Sequence, residues 1–282
     1  MNGRGVLPLS RRRVLVTGIA DGVSLALPIA RELGTAGAEL VCTGVGQTAH
    51  HRGLSASAKR YLAEAEVAFA TTVRDHLGSD VPALVVDVTL DGSIDDLAAT
   101  LRERGLQLDG VVHAIAMDRT IRGGKAKPLL EVTRAEFMDC MDVSAYSLLA
   151  LVRALLQGGV LRDGASIVAL SYLGAERVMP HPYRNVGVAK AALERIVREL
   201  AVELGASHGV RVNAVRFSPW SRSRAGGAIP GLDEAVAHAA ERAPLGNADP
   251  VSLAHEVAHL MRPGLLVTGE VRHVDGGYQI NG

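Results

Sequence analysis

Seven short runs rich in β-branched residues recur along the chain, and the stretches between them repeat apolar residues at helical spacing. The runs are 13–17 (RVLVT), 39–43 (ELVCT), 83–87 (ALVVD), 110–114 (GVVHA), 166–170 (SIVAL), 211–215 (RVNAV) and 270–274 (EVRHV). Near-continuous apolar character suits strands covered on both faces, and such strands run parallel with helical crossovers between them. The pattern therefore predicts an α/β fold, a doubly wound parallel sheet of about seven strands with helices on both faces. Connecting helices are expected over 24–34, 94–104, 134–157 and roughly 186–205, three of them running into glycines. Two stretches depart from the alternation. Residues 44–82 exceed one helix and its turns, and 220–246 form a Gly- and Pro-punctuated excursion after a strand, where ligand-gating loops commonly sit. Neither a linker nor an internal repeat divides the chain, so residues 13–282 are expected as a single domain behind an N-terminal tail, 1–12.

Charge removes some partners. Lys plus Arg and Asp plus Glu each number 30, so no net positive field exists to attract nucleic acid or an anionic membrane surface. Apolar runs long enough to span a bilayer are absent, Arg153 interrupting the nearest approach. Cys42 and Cys140 stand nearly a hundred residues apart with no CxxC or Cys/His companion, which predicts neither a disulfide framework nor a metal site. A cytoplasmic protein is expected. Lysine is scarce, at positions 59, 125, 127 and 190 only, so each invites a reason.

The first strand runs into Thr17-Gly18-Ile19-Ala20-Asp21-Gly22-Val23-Ser24-Leu25. A glycine turn feeding a helix offers free backbone N–H groups and a positive dipole end, which suits a dinucleotide pyrophosphate. A plain strand-to-helix turn is the alternative. Ser24 occupies the place of the usual third glycine and is expected to face the phosphates with its hydroxyl. Asp21 would repel the pyrophosphate unless it turns away as a cap. Later strand ends supply Asp87-Val88, able to bond and flank an adenine, then Ala114-Ile115-Ala116 and Ser218-Pro219-Trp220.

The densest chemistry lies in Ser171-Tyr172-Leu173-Gly174-Ala175-Glu176-Arg177 and in Tyr183 followed seven residues later by Lys190. On a helix that separation is nearly two turns, about 10.5 Å along the axis, so both side chains share a face and grip one ligand. An ammonium near a phenol is expected to favour phenolate, while its other donors hold a ribose hydroxyl. Tyr172 ends a strand at the same edge. His113, His181 and His273 are expected to be structural or merely nearby.

With these residues in view, the chain resembles the enoyl-acyl-carrier-protein reductases of the short-chain dehydrogenase/reductase superfamily over residues 12–280. The Tyr-x6-Lys spacing separates that branch from ordinary short-chain dehydrogenases, whose tyrosine lies four residues before the lysine, here Val186. Gly18 with Ser24, SYLGAER at 171–177 and HVDGG at 273–277 add to the match. The resemblance implies a Rossmann-type fold and hydride transfer from NADH, or alternatively NADPH, to the β-carbon of a trans-2-enoyl thioester. It implies catalytic roles for Tyr183, Lys190 and Tyr172. It assigns Gly18, Ala20, Ser24 and Leu25 to pyrophosphate and ribose, and Asp87 and Val88 to adenine. Ile115, Lys190 and Trp220 fall to the nicotinamide end. An acyl-thioester substrate, on an acyl carrier protein or coenzyme A, a homotetramer and a substrate-gating loop at 220–246 are implied as well. Trp220 stands where the family has a small aliphatic, and His181-Pro182 lengthens the turn before Tyr183. A reductase of the same fold acting on another enone or carbonyl, and a non-catalytic cofactor-binding sensor, are the two competing readings.

Overall fold

Nine strands and ten α-helices are described in a computed structural model covering residues 7–281. The strands are β1 (Arg13–Val16), β2 (Glu39–Gly44), β3 (Ala83–Val85), β4 (Leu108–His113), β5 (Ile121–Arg122), β6 (Lys125–Ala126), β7 (Leu161–Tyr172), β8 (Arg211–Phe217) and β9 (Val271–Val274). Seven form one sheet in the order β3-β2-β1-β4-β7-β8-β9, each neighbouring pair parallel. All seven expected runs fall in this sheet. The exception is an antiparallel hairpin, β5 with β6, which the sequence reading did not anticipate.

The helices are α1 (Ala26–Thr35), α2 (Ala56–Leu77), α3 (Asp91–Glu103), α4 (Arg134–Met141), α5 (Ser147–Gln157), α6 (Arg184–His208), α7 (Arg224–Gly227), α8 (Leu232–Arg242), α9 (Pro250–Met261) and α10 (Tyr278–Asn281). Alternate strand residues face opposite layers. Val111, Ile167 and Val212 pack with Ile94, Leu97, Leu148, Leu151, Leu193 and Val197 of α3, α5 and α6. Val112, Val168 and Val215 pack with Ile29, Leu33, Phe69, Val73, Leu253 and Val257 of α1, α2 and α9. Full burial of each such side chain contributes roughly 1.5–3 kcal/mol, and two apolar faces per strand explain the unbroken runs in the sequence.

Two expectations change. Residues 44–82 do fit one helix with its turns, because α2 is 22 residues long and starts only after Ser55, whose Oγ accepts from Ala58 N at 3.2 Å. The expected helix 134–157 is interrupted by a π-helical turn, Asp142–Tyr146. That wider turn carries Ser144 to the loop after β4, where its Oγ accepts from Met117 N at 3.0 Å and donates to Met117 O at 3.1 Å. Residues 1–6 of the expected tail lie outside the described residues. From Leu7 onward the segment is docked: Leu9 is fully buried, and its N–H donates to Ala36 O at 2.9 Å.

Candidate active site

Strand order reverses between β1 and β4, so the crevice for a ligand opens beyond the C-terminal ends of these two strands. Gly18 sits at its floor with φ +83°, and a Cβ there would come within 2.1 Å of Ala114 O. Only glycine permits this approach. Thr17 Oγ1 donates to Val112 O at 3.0 Å and accepts from Ala114 N at 3.2 Å, locking the two strand ends together.

Ser24 Oγ turns into the loop rather than outward. It accepts from the N–H groups of Ala20 and Asp21, both at 3.0 Å, and lies 3.2 Å from Asp21 Oδ1. Asp21 Oδ1 also accepts from Val23 N at 3.1 Å, so this carboxylate is a local cap. Leu25 immediately precedes α1 and is half-buried, as is Ala20.

Lys190 is 4% exposed, and its Nζ donates to Ile115 O at 3.1 Å and to Leu170 O at 2.8 Å. These carbonyls belong to the segment after β4 and to β7, so the ammonium bridges the floor of the crevice. An ammonium has three donors, and one is left for a ligand. Burial disfavours its charged form and lowers its pKa to about 8. His113, wholly buried beside it, is pushed down to about 3 by desolvation and then by the Lys190 charge. Ser147 Oγ donates to Val143 O, which leaves it to accept from His113 Nε2 at 2.8 Å. His113 is thus a neutral structural group.

Tyr183 does not lie on the helix with Lys190. It is the residue preceding α6, with φ −103° and ψ 28°, while Lys190 lies within α6. The close start of α6 is set by Gly187, where a Cβ would be 2.7 Å from Gly174 O. This brings the Tyr183 ring edge-on to Tyr172, centroids 4.9 Å apart. The phenolate expectation reverses here. Burial is the leading cause for both phenols and raises both pKa values, with Tyr172 further opposed by Tyr183 and Tyr183 by Cys140. Both are hydroxyl donors at neutral pH.

His181, expected to be structural or merely nearby, lies with its ring 5.6 Å from that of Tyr172 and 6.1 Å from that of Tyr183, 3% exposed, its pKa lowered to about 4 by desolvation. Asn185 and Tyr278 are neighbours that escaped the sequence reading. Among the described residues, Tyr172 Oη, both ring nitrogens of His181 and both polar side-chain atoms of Asn185 are buried without a hydrogen-bond partner. Such groups take partners when a ligand or water arrives. Tyr278, after the HVDGG stretch, joins Tyr172, Leu173, Ala239 and Ala243 in one apolar cluster, so α8 covers the phenols. The expected excursion 220–246 holds α7 and α8.

A buried ion cluster supports this edge. Glu194 of α6 accepts from Ser171 Oγ at 2.6 Å and from Arg216 Nε and Nη2 at 2.8 and 2.6 Å. Arg216 also bonds Glu176, and His273 Nε2 lies 3.4 Å away. The cluster ties Ser171, next to Tyr172, to α6 and β8. Trp220 lies just beyond β8, half-buried, its ring 6.4 Å from Phe217 and beneath the Arg222 guanidinium at 5.6 Å. Val88 packs against the inner core, and Asp87 is held by hydrogen bonds to Thr89 and His51.

Comparison with known proteins adds to this geometry. A family model described as Enoyl-(Acyl carrier protein) reductase matches residues 58–279. The protein of Aquifex aeolicus named enoyl-acyl-carrier-protein reductase (NADH) FabI is 36% identical over 278 residues, 97% of this chain and 93% of that protein. The crystal structure of a FabI–NADH complex from Alistipes finegoldii superposes with a TM-score of 0.84 at 26% identity, covering 98% of this chain and 90% of the other. The Bacillus cereus enoyl-acyl carrier protein reductase, with NADP+ and indole naphthyridinone, gives 0.82 at 31% identity, covering 97% and 98%.

Proposed function

Because the chain belongs to the enoyl-acyl-carrier-protein reductase family, we propose that it uses NADH to reduce the carbon–carbon double bond of a trans-2-enoyl thioester in fatty-acid biosynthesis. The observation that carries this reading is the convergence of Lys190, Tyr183 and Tyr172 at the crevice beside Gly18. The crevice fits the cofactor: Gly18 leaves the room that a side chain would fill, and Lys190 keeps one donor unspent. Bound NADH supplies the hydride. Lys190 holds the ribose beside the nicotinamide through its remaining N–H. Tyr183, a neutral phenol, donates a hydrogen bond to the thioester carbonyl oxygen and stabilises the negative charge that develops there. Tyr172 packs edge-on to Tyr183 and fixes its ring. Gly18, Ala20, Ser24 and Leu25 line the pyrophosphate end, Asp87 and Val88 the adenine, and Ile115 and Trp220 the nicotinamide side. We read α7 and α8 as the lid over the acyl chain, and residues 13–282 as one functional unit.

NADH oxidation by the purified protein tests this reading. Oxidation that requires a short trans-2-enoyl thioester supports it, and oxidation that needs only a ketone or no acceptor contradicts it.

The carrier in this reading is acyl carrier protein, and the assembly a homotetramer. Exposed Met138 and Tyr146 border a mostly apolar depression of about 580 Å³ with Met141, Ala145 and Ile196, and Asp139 and Asp142 also line it; a second copy of the chain would cover this face. Sedimentation at monomer mass would contradict the assembly. No helix among the described residues is long and apolar enough to cross a membrane, and Cys42 and Cys140 are free and buried; we place the protein in the cytoplasm.

The lowered Lys190 pKa fixes a pH dependence. Between about 8 and the ordinary 10.5 the folded protein holds fewer protons than the unfolded chain, so this group makes stability rise with pH across that window. Cofactor binding goes the other way, because the ammonium donor is lost above pH 8. The expected result is a KM for NADH that climbs about tenfold per pH unit above pH 8. A KM flat to pH 10 would remove Lys190 from the cofactor site.

A further inference from the structure

The loop between β2 and α2 closes onto the end of β3 through two adjacent histidines. Thr48 N–H donates to His51 Nδ1 at 3.0 Å, which makes Nδ1 the acceptor and places the ring proton on Nε2. Nε2 lies 3.0 Å from Asp87 Oδ2 and donates to it. The His51 side chain is 10% exposed and that of Asp87 20%. The other carboxylate oxygen, Asp87 Oδ1, accepts from Thr89 N at 2.9 Å and Thr89 Oγ1 at 2.7 Å. His50 makes a second attachment: its Nε2 is 2.7 Å from Asp96 Oδ2, and its ring lies so close to Gly92 that a Cβ there would meet it at 2.5 Å.

These bonds leave the carboxylate nearly saturated. An ionised carboxylate offers about four acceptor sites. Thr89 takes two on Oδ1 and His51 one on Oδ2, which leaves a single acceptor on Oδ2 in a fixed direction. One acceptor matches one N–H donor, such as the exocyclic amine of adenine, and does not match a carbonyl. Without His51 the carboxylate is tethered on the Oδ1 side alone, by Thr89, and Oδ2 loses the bond that fixes its direction.

We propose that His51 is a positioning residue of the cofactor site, aiming the one free acceptor of Asp87 at the adenine amine and so selecting adenine over a 6-oxo purine. The proposal rests on the reading that puts adenine at Asp87. Its test compares NADH with deamino-NADH, which carries hypoxanthine and lacks the amine. The wild-type protein is expected to favour NADH by about tenfold or more in kcat/KM, the effect of one hydrogen bond to a charged group. His51→Ala is expected to reduce that preference to about twofold. His51→Gln, whose amide keeps a donor at the position of Nε2, is expected to restore most of it.

A merely structural role for His51 would lower kcat/KM for both dinucleotides alike and leave their ratio untouched, which would overturn the proposal. Asp87→Ala separates the two readings. If Asp87→Ala abolishes the preference and His51→Ala does not, His51 has no positioning role. If neither variant changes the ratio, adenine is not bound at Asp87, and the premise fails together with the proposal.

Discussion

Lys190→Ala lowers kcat/KM for NADH by two to three orders of magnitude. The substitution removes a lysine that bonds both the segment after β4 and the end of β7, through Ile115 O and Leu170 O. Hydrogen bonds to charged groups contribute roughly 1.5–3 kcal/mol each, and the lost ammonium acts both on the ribose and on the charge forming at the substrate oxygen. Loss therefore appears in cofactor affinity as well as in turnover. The loss of the bonds to both carbonyls and the space vacated cost stability too, so Lys190→Met, which refills the volume, is the companion variant. Both are expected to bind NADH weakly by fluorescence titration while retaining the wild-type far-ultraviolet spectrum. Either variant folding normally with activity within tenfold of wild type would contradict the role given to Lys190.

Tyr183→Phe separates chemistry from binding. The ring keeps its edge-on contact with Tyr172, so the change removes one hydroxyl and nothing else from the packing. Removing a single preorganised donor to a developing oxyanion costs about 100- to 1000-fold in turnover. The expected result is a kcat lowered by that amount with a KM for NADH moved by less than about twofold. Unchanged kcat would show that the carbonyl oxygen is held elsewhere. Tyr172 Oη and the His181 ring, both buried and unpartnered beside Tyr183, are groups able to do so.

The sheet was legible because its central strands are apolar on both faces, and short β-branched runs such as GVVHA, spaced between helical stretches, mark strands rather than helices. The glycine turn was legible for a similar reason, since Gly18 answers a steric demand that no other residue meets. What escaped depends on contacts between distant parts of the chain. Nothing in the local pattern of Thr48 to Arg52 reveals that His51 meets Asp87, 36 residues away. Nor does the sequence around Ser171 reveal Glu194 and Arg216 beneath it. The π-helical turn at 142–146 preserves apolar spacing on either side and so reads as unbroken helix. The phenolate expectation failed on energetics. A lysine seven residues away suggested an opposing charge, whereas Lys190 spends two donors on carbonyls and burial dominates at Tyr183. The Ser24 hydroxyl reads from sequence as a phosphate contact, yet two loop N–H groups claim it.

The measurement that bears most directly on the central claim is the fate of a deuterium label. The purified protein is incubated with a trans-2-enoyl thioester on acyl carrier protein and with NADH deuterated at the transferable position, and the acyl product is analysed by mass spectrometry and NMR. The expected product is a saturated thioester carrying one deuterium at C3, formed by the wild-type protein and at least a hundredfold less by Lys190→Ala. Recovery of unreduced enoyl thioester, or deuterium appearing on a carbinol carbon when a ketone is offered instead, would contradict the central claim.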